Sequence, residues 1–303
     1  MTLYRFIPFF ATAASALWPA VAQDSAGVIA QKDVIYGRAD GAALLADIAY
    51  PSGKDHLPVI LMVHGGRWRA GSKSDDNYAK QDGWARDGFF AMNIDYRLVN
   101  STPAPACYQD MYTAIRWVHA HASEYHIDTS RIYLMGNSSG GHEVALAATL
   151  GEGPYGKTGG WDKESEDFRA AISFSGAYDL NTLSWGNLWT PITGSAGTGF
   201  VTLTGTALEE ARRIASPLHN IGAPTKPLLL LHSDDDRSVP IQQAIDMDQA
   251  LTAAHVRHKF IHYTDRGHIG FTDEAMREAR AFIADLESKA ETGSTRAGGL
   301  SAQ

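Results

Sequence analysis

The chain has 303 residues, 44% hydrophobic and 20% charged, with a formal net charge of −8. An acidic balance without basic runs argues against nucleic acid as a partner. One cysteine, Cys107, excludes an internal disulfide, so the fold must rest on its apolar core, which a chain of this length can supply.

Residues 1–5 carry one positive charge, residues 6–17 are apolar, and Ala20-Val21-Ala22 is a small-x-small cleavage pattern. Residues 1–22 therefore read as a secretory signal peptide, which would place the mature chain in the periplasm or outside the cell. No later stretch is apolar for long enough to cross a bilayer, so stable membrane insertion of the mature protein is not expected. Residues 32–36 and 44–50 read as two short strands joined by an Asp40-Gly41 turn. Residues 58–63 form a continuous apolar run without alternation, the pattern of a central strand covered on both faces. It ends in His64-Gly-Gly-Arg-Trp68. Residues 77–87 suit a helix, 89–95 a buried strand, and 106–125 an amphipathic helix with Met111, Ile115 and Val118 at helical spacing. Cys107, near its start, reads as a packed thiol.

Residues 132–135 are an apolar strand that breaks sharply at Gly136-Asn-Ser-Ser-Gly-Gly141 and continues as an Ala/Leu-rich helix over 144–150. Strand, tight turn, helix is the context that a G-x-S-x-G nucleophile elbow needs. Ser138 sits on a strained turn there, so the residues two positions either side, Gly136 and Gly140, must lack a Cβ. The run Gly151-Glu-Gly-Pro-Tyr-Gly156 matches a dinucleotide fingerprint by letters, but it follows a helix and opens none, so it is assigned to a loop. Residues 170–177 are a sixth strand. Residues 181–221 then abandon strand–helix alternation, and a lid or pocket wall is expected there. Strand 226–232, helix 241–254, strand 257–263 and an amphipathic helix over 272–288 capped by Thr272 complete the fold. Residues 291–303 read as a disordered tail. The alternation predicts one α/β domain over 23–290, with a mostly parallel central sheet and helices on both faces.

A serine hydroxyl needs a base within reach and a group that orients the base. After an elbow these follow in the order acid, then histidine. Three aspartates compete in His232-Ser-Asp-Asp-Asp-Arg-Ser-Val-Pro240. Asp236 is favoured because Asp-x-x-Val-Pro puts it in a strand-to-helix loop with Pro240 opening the helix. A metal site from His232 and these aspartates lacks a second ligand group. His268, between Gly267 and Gly270 after the last strand, is placed to act as general base and then general acid. His255, His258 and His262 read as surface or half-buried residues, and His119, His121 and His126 as a helix face and its end. Backbone N–H groups of Gly65, Gly66 and Arg67, with Ser139, are expected to form the oxyanion hole. Trp68, Trp185 and Trp189, with Phe200, are candidates for an aromatic substrate pocket, and Arg67 for steering a carboxylate-bearing substrate.

Together, His64-Gly-Gly-x-Trp68, Gly71-x-Lys73, Asp95-Tyr-Arg-Leu98, Gly136-Asn-Ser-Ser-Gly-Gly-His142, Asp236-x-x-Val-Pro240 and Gly267-His-x-Gly-Phe271 resemble the α/β-hydrolase superfamily. Within it the chain resembles esterase/lipase proteins of the hormone-sensitive-lipase and bacterial feruloyl-esterase-like group. The resemblance spans residues 30–290. It implies an α/β-hydrolase fold and a cofactor-free serine carboxylic-ester hydrolase acting on small or medium esters through Ser138, Asp236 and His268. Two departures bear on substrate: Arg67 stands where that lipase pattern has a third glycine, and Asn137 where an acidic residue is common. The first also fits kynurenine-formamidase-like amidases, which leaves an amidase of the same fold as the alternative. A non-catalytic binding protein on this fold is the remaining class.

Overall fold

Asp40 and Gly41, both at positive φ (50° and 81°), turn the chain between β2 (Val28–Ala39) and β3 (Ala42–Pro51). The computed structural model describes residues 21–23, 27–75, 81–151, 153–183, 188 and 203–297. Most of the expected signal peptide, Trp185, Trp189 and Phe200 lie outside the described residues. The remaining strands are β1 (Val21–Gln23), β4 (Leu57–Val63), β5 (Phe90–Ile94), β6 (Ile127–Asn137), β7 (Ala170–Phe174), β8 (Leu228–Ser233) and β9 (His258–Tyr263). They form one sheet in the order β1-β2-β3-β5-β4-β6-β7-β8-β9. β1, β2, β3 and β5 pair antiparallel with one another, and from β5 to β9 every pairing is parallel. This is the mostly parallel sheet that the alternation of elements predicts.

The helices are α1 (Gln81–Arg86), α2 (Ala106–Ala120), α3 (Ser139–Leu150), α4 (Gly205–Ile214), α5 (Gln242–Ala253) and α6 (Asp273–Ala297). Strand β4 shows why its sequence lacks alternation. Val59, Leu61 and Val63 enter a core shared with α2, α3 and α5. Ile60 and Met62 enter a second core with Trp84 of α1 and Ala275, Ala279 and Ile283 of α6. With helices on both faces, every position of the strand must be apolar. No helix among the described residues is long and apolar enough to cross a membrane.

Several boundaries differ from the sequence reading. α2 stops at Ala120 because the chain turns to lay Tyr125 against Tyr50 and Phe90. β7 stops at Phe174 because Ser175 takes a left-handed backbone (φ 46°). β6 begins five residues early, at Ile127, which pairs with Leu57. The 181–221 segment is less irregular than its composition suggests, since α4 lies within it. α6 runs to Ala297, into the stretch expected to be disordered. A helix already docked by its apolar stripe extends one residue at a time without a new nucleation cost.

Glu143 of α3 is fully buried, and neither carboxylate oxygen has a hydrogen-bond partner among the described residues. Burial, reinforced by the neighbouring Asp110 carboxylate, pushes its pKa well above the ordinary range. The native state therefore keeps Glu143 protonated, whereas the unfolded chain releases the proton near pH 4.5. Its contribution to stability is complete below that pH and is lost as pH rises toward the native pKa, by up to about 1.4 kcal/mol per pH unit. Glu143→Met should therefore gain stability over wild type between pH 5 and pH 8 in urea unfolding. A constant difference across that range would show that Glu143 is ionised in the native state.

Candidate active site

The nucleophile candidate is placed by a forced contact. Gly140, in the first turn of α3, packs so tightly on the end of β4 that a Cβ there would sit 2.1 Å from the Val63 carbonyl oxygen. A Cβ on Gly136 would sit 2.3 Å from the Gly140 oxygen. Between these glycines Ser138 takes φ 54°, ψ −118°, a strained conformation for a side-chain-bearing residue. Its N–H donates to Phe174 O at 2.8 Å, and its carbonyl accepts the His142 N–H at 2.9 Å. The elbow is thus tied both to β7 and to its own helix.

Each of the three competing aspartates has a separate partner. Asp234 Oδ1 lies 2.5 Å from His262 Nε2 at the surface. Asp235 Oδ1 accepts from Ser233 Oγ (2.6 Å) and from the Gly267 N–H (2.8 Å). Asp236 faces His268, whose Nδ1 is 2.8 and 3.0 Å from its two oxygens. Asp236 Oδ1 also accepts the Ser238 and Val239 N–H groups at 2.8 and 2.9 Å. Burial opposes the charge of Asp236, but His232, His268 and the Val239 N–H outweigh it and hold the carboxyl far below the ordinary carboxylate range. An ionised Asp236 holds the proton of His268 on Nδ1, which in the neutral ring leaves Nε2 with a free lone pair.

The His268 loop is pinned residue by residue. The Arg266 N–H donates to Ser233 Oγ (2.9 Å), Gly267 to Asp235, and Ile269 to Ser175 Oγ (2.9 Å). Asn137 Nδ2, beside Ser138, donates to Ile269 O (3.1 Å), beside His268. That bond links the Ser138 turn to the His268 loop. It also explains why an amide can serve at position 137: a carboxylate has no hydrogen to give a carbonyl. Sequence reasoning missed Ser175 and this use of Asn137. It also missed His232, whose buried Nε2 lies 2.9 Å from Val239 O and 3.3 Å from Asp236 Oδ2.

The 64–73 loop follows β4. Gly66 (φ 113°), Arg67 (56°) and Trp68 (58°) are all left-handed. Among the described residues, no protein group accepts the N–H of Gly65, Gly66 or Ser139. These donors stand at the junction where Gly140 abuts Val63 and His64. The Tyr96 hydroxyl spans that junction, donating to His64 O (3.2 Å) and lying 3.4 Å from Ser139 Oγ, while its ring stacks on His64 at 4.3 Å. The loop is further held by Asp95, which accepts the Lys73 N–H at 2.6 Å, and by Val99, whose N–H donates to Trp68 O. Lys73 Nζ pairs with Asp33 (2.8 Å) and buried Asp47 (2.9 Å).

Trp68 does not line a pocket. It is 1% exposed and packs edge-on against His142, with ring centroids 5.0 Å apart, because the turn after Gly66 carries its indole down toward α3. His142 is pushed down to about 4 by burial. As a neutral ring it donates from Nδ1 to Ala177 O (2.8 Å) and accepts the Tyr108 hydroxyl at Nε2 (3.0 Å). Cys107 is buried, and burial raises its pKa well above the usual thiol value, so it is not a nucleophile at neutral pH. Among the described residues, no group of three or more His, Cys, Asp or Glu side chains is arranged to hold a metal ion.

A strand–elbow–helix unit on a mostly parallel sheet, with an acid–histidine pair brought beside the elbow, defines an α/β-hydrolase. The family model BD-FAE matches residues 46–251, and the chain belongs to that family. Among curated relatives it is 31% identical to "Probable carboxylic ester hydrolase LipM" of Mycobacterium tuberculosis, over 62% of this chain and 43% of that protein. It is 28% identical to "Esterase LipC" of the same organism, over 65% and 48%. The chain thus spans about half the length of the curated relatives it matches. Among solved structures, a carbohydrate esterase from gut microbiota superposes with a TM-score of 0.71 at 22% identity, over 88% of this chain and 99% of that one. A butyrate-bound esterase from Thermogutta terrifontis gives 0.70 at 23%, over 85% and 94%.

The Ile269 clamp makes a stability prediction. Ser175→Ala strands a buried N–H and Asn137→Ala a buried carbonyl, so each should cost about 1–3 kcal/mol in urea unfolding. The double variant should cost less than the sum, because both bonds fix one residue. Strict additivity would mean that the two contacts act independently.

Proposed function

We propose that the protein is a serine carboxylic-ester hydrolase that works through an acyl-Ser138 intermediate on small or medium esters. The observation that carries the reading is the bond from Asn137 to Ile269, which joins the strained Ser138 turn to a loop whose His268 is already paired with Asp236. In support, relatives in the family are named carboxylic ester hydrolases and esterases, and one solved neighbour is an esterase phosphonylated by cyclosarin.

In this reading His268 Nε2 takes the proton of Ser138 as Oγ attacks the ester carbonyl. The oxyanion forms against the N–H groups of Gly66 and Ser139, with Gly65 and Arg67 as the flanking donors, and the N-terminus of α3 adds its dipole. The ester C–O bond then breaks, and the alkoxide leaves with the proton from His268. Water deprotonated by the same nitrogen attacks the acyl-Ser138 carbonyl, and Ser138 departs with that proton. Asp236 stays an anion throughout and holds His268 in one tautomer. Residues 1–22 direct export, so the substrate is met outside the cytoplasm.

Hydrolysis of p-nitrophenyl acetate, butyrate and octanoate by the purified protein tests this. Ser138→Ala should lower kcat on the order of 10⁶-fold, and Asp236→Asn roughly 10⁴-fold, by releasing the wrong tautomer of His268. The acid limb of kcat/KM should titrate one proton, since Asp236 stays ionised far below the range in which the assay runs. Turnover that survives in Ser138→Ala, or none from a folded wild-type chain with esters of all three lengths, would overturn the assignment.

A further inference from the structure

Two large hydrophobic side chains are exposed among the described residues, Ile35 at 43% and Trp161 at 40%. They line one cavity of about 310 Å³ with Gly37, Arg38, Gly159 and Gly160. Scattered exposed apolar residues need no explanation, but two that share a concave surface do.

Trp161 is held in a conformation its side chain disfavours. Its φ is 61°, directly after Gly159 and Gly160 at 81° and 110°. A bulky residue in the left-handed region is an outlier, and such strain persists where the surroundings enforce it. Here they do. The indole N–H donates to Tyr36 O at 2.9 Å. The ring meets His121 edge-on at 4.8 Å, and His121 stacks on the buried Trp117 at 4.3 Å. The loop is closed by the Arg38 N–H donating to Gly159 O, and by Lys157 Nζ donating to the carbonyls of Asp162 and Glu164. With its N–H already bonded, what Trp161 offers solvent is aromatic surface at a fixed angle. Gly160 opens the approach, because a Cβ there would meet nothing within 4 Å.

The other feature is charge. The Arg38 side chain is exposed and has no hydrogen-bond or ion-pair partner among the described residues, in a chain whose net charge is −8. An unpaired guanidinium beside a rigid indole matches a ring that carries a carboxylate: the ring lies on the aromatic face and the acid meets Arg38. The cleft is open, so a ligand edged with hydroxyl groups keeps them in water, whereas a wholly apolar ring would leave its far face uncovered.

We infer that the Ile35–Arg38–Trp161 cleft binds the uronic acid rings of an acidic polysaccharide. The cleft stands apart from Ser138. Strand β2 is separated from β6 by β3, β5 and β4, a distance of about 19 Å at the usual strand spacing. It lies at the same end of the sheet, since Val34 is level with Ala46, and Ala46 with Ile94 at the carboxyl end of β5. A glycan held there stays beside the candidate active site without occupying it. The inference does not need the esterase reading, because its ligand carries no ester.

Isothermal titration calorimetry with tetragalacturonate, xylotetraose and benzoate tests it on the full chain. Tetragalacturonate should bind wild type and Ser138→Ala alike. Arg38→Ala should weaken it on the order of tenfold, to the level of xylotetraose, which lacks the carboxylate. Trp161→Ala should abolish binding of both glycans, while Trp161→Phe retains most of it. Thermal melts of each variant separate lost binding from lost folding. No heat with tetragalacturonate, equal affinity in a folded Trp161→Ala, or benzoate binding as tightly as the glycan would overturn the proposal.

Discussion

The constraint that shapes the candidate site is the contact between the first turn of α3 and the end of β4. A Cβ on Gly140 would sit 2.1 Å from Val63 O, so no atom larger than hydrogen fits there. Pressing a helix N-terminus so closely onto a strand end has three consequences. The chain between β6 and α3 must turn through a left-handed Ser138, which lifts its side chain clear of the sheet. The unused N–H groups at the start of α3 come beside the glycines that follow β4. The same approach brings the β7 end near enough for Phe174 to accept the Ser138 N–H. The backbone strain at Ser138, Arg67 and Trp68 lies where these donors and Ser138 meet, and the packing of both cores over-determines it.

Around that contact, sequence motifs that look separate are parts of one structure. The glycine loop after β4 and the Asp95-Tyr-Arg-Leu98 segment after β5 interlock: Asp95 takes the Lys73 N–H, Tyr96 stacks on His64, and Val99 closes on Trp68. Arg97 in turn makes a bidentate pair with buried Asp110, at 2.7 Å from Nη2 and 3.0 Å from Nε to the same oxygen, which ties the segment to α2. Lys73 sits between Asp33 and Asp47, so the loop is moored to the antiparallel edge as well. A loop built to present free N–H groups cannot spend those groups on its own stability, so side chains on neighbouring elements take over that task.

Residues whose chemistry is dictated by backbone shape were legible in the sequence. Gly136, Ser138, Gly140 and the apolar run of β4 follow from turn sterics and two-sided burial, and the mostly parallel sheet from alternation of elements. Asp236 was separable from Asp234 and Asp235 only by its spacing from Pro240, and the structure supplies the reason: all three are used, each by a different partner. What stayed hidden depends on contacts between distant positions. Nothing local marks Ser175 as the acceptor for a residue 94 positions away, or Asn137 as the donor to one 132 away. Trp68 was misread because an aromatic after glycines in a loop suggests a pocket wall. Its depth is set by α3 packing beneath it, which no window around residue 68 contains.

Three of the buried polar groups without partners among the described residues lie close to this site. Glu143, Asn137 Oδ1 and His232 Nδ1 are buried and unsatisfied among the described residues, and each belongs to the elbow helix, the elbow itself or the strand before Asp236. For His232 the cause is visible. Its Nε2 faces two acceptors, Val239 O and Asp236, so the ring hydrogen must lie there and Nδ1 is left bare. For Asn137 the amide that reaches Ile269 O leaves its own oxygen facing protein. For Asn137 and His232 the unpaired atom is the far side of a bond to the His268 loop or to Asp236, whereas Glu143 makes no such bond. Burying such atoms costs stability, and at Asn137 and His232 that cost is borne where placement to a fraction of an ångström matters to the candidate site.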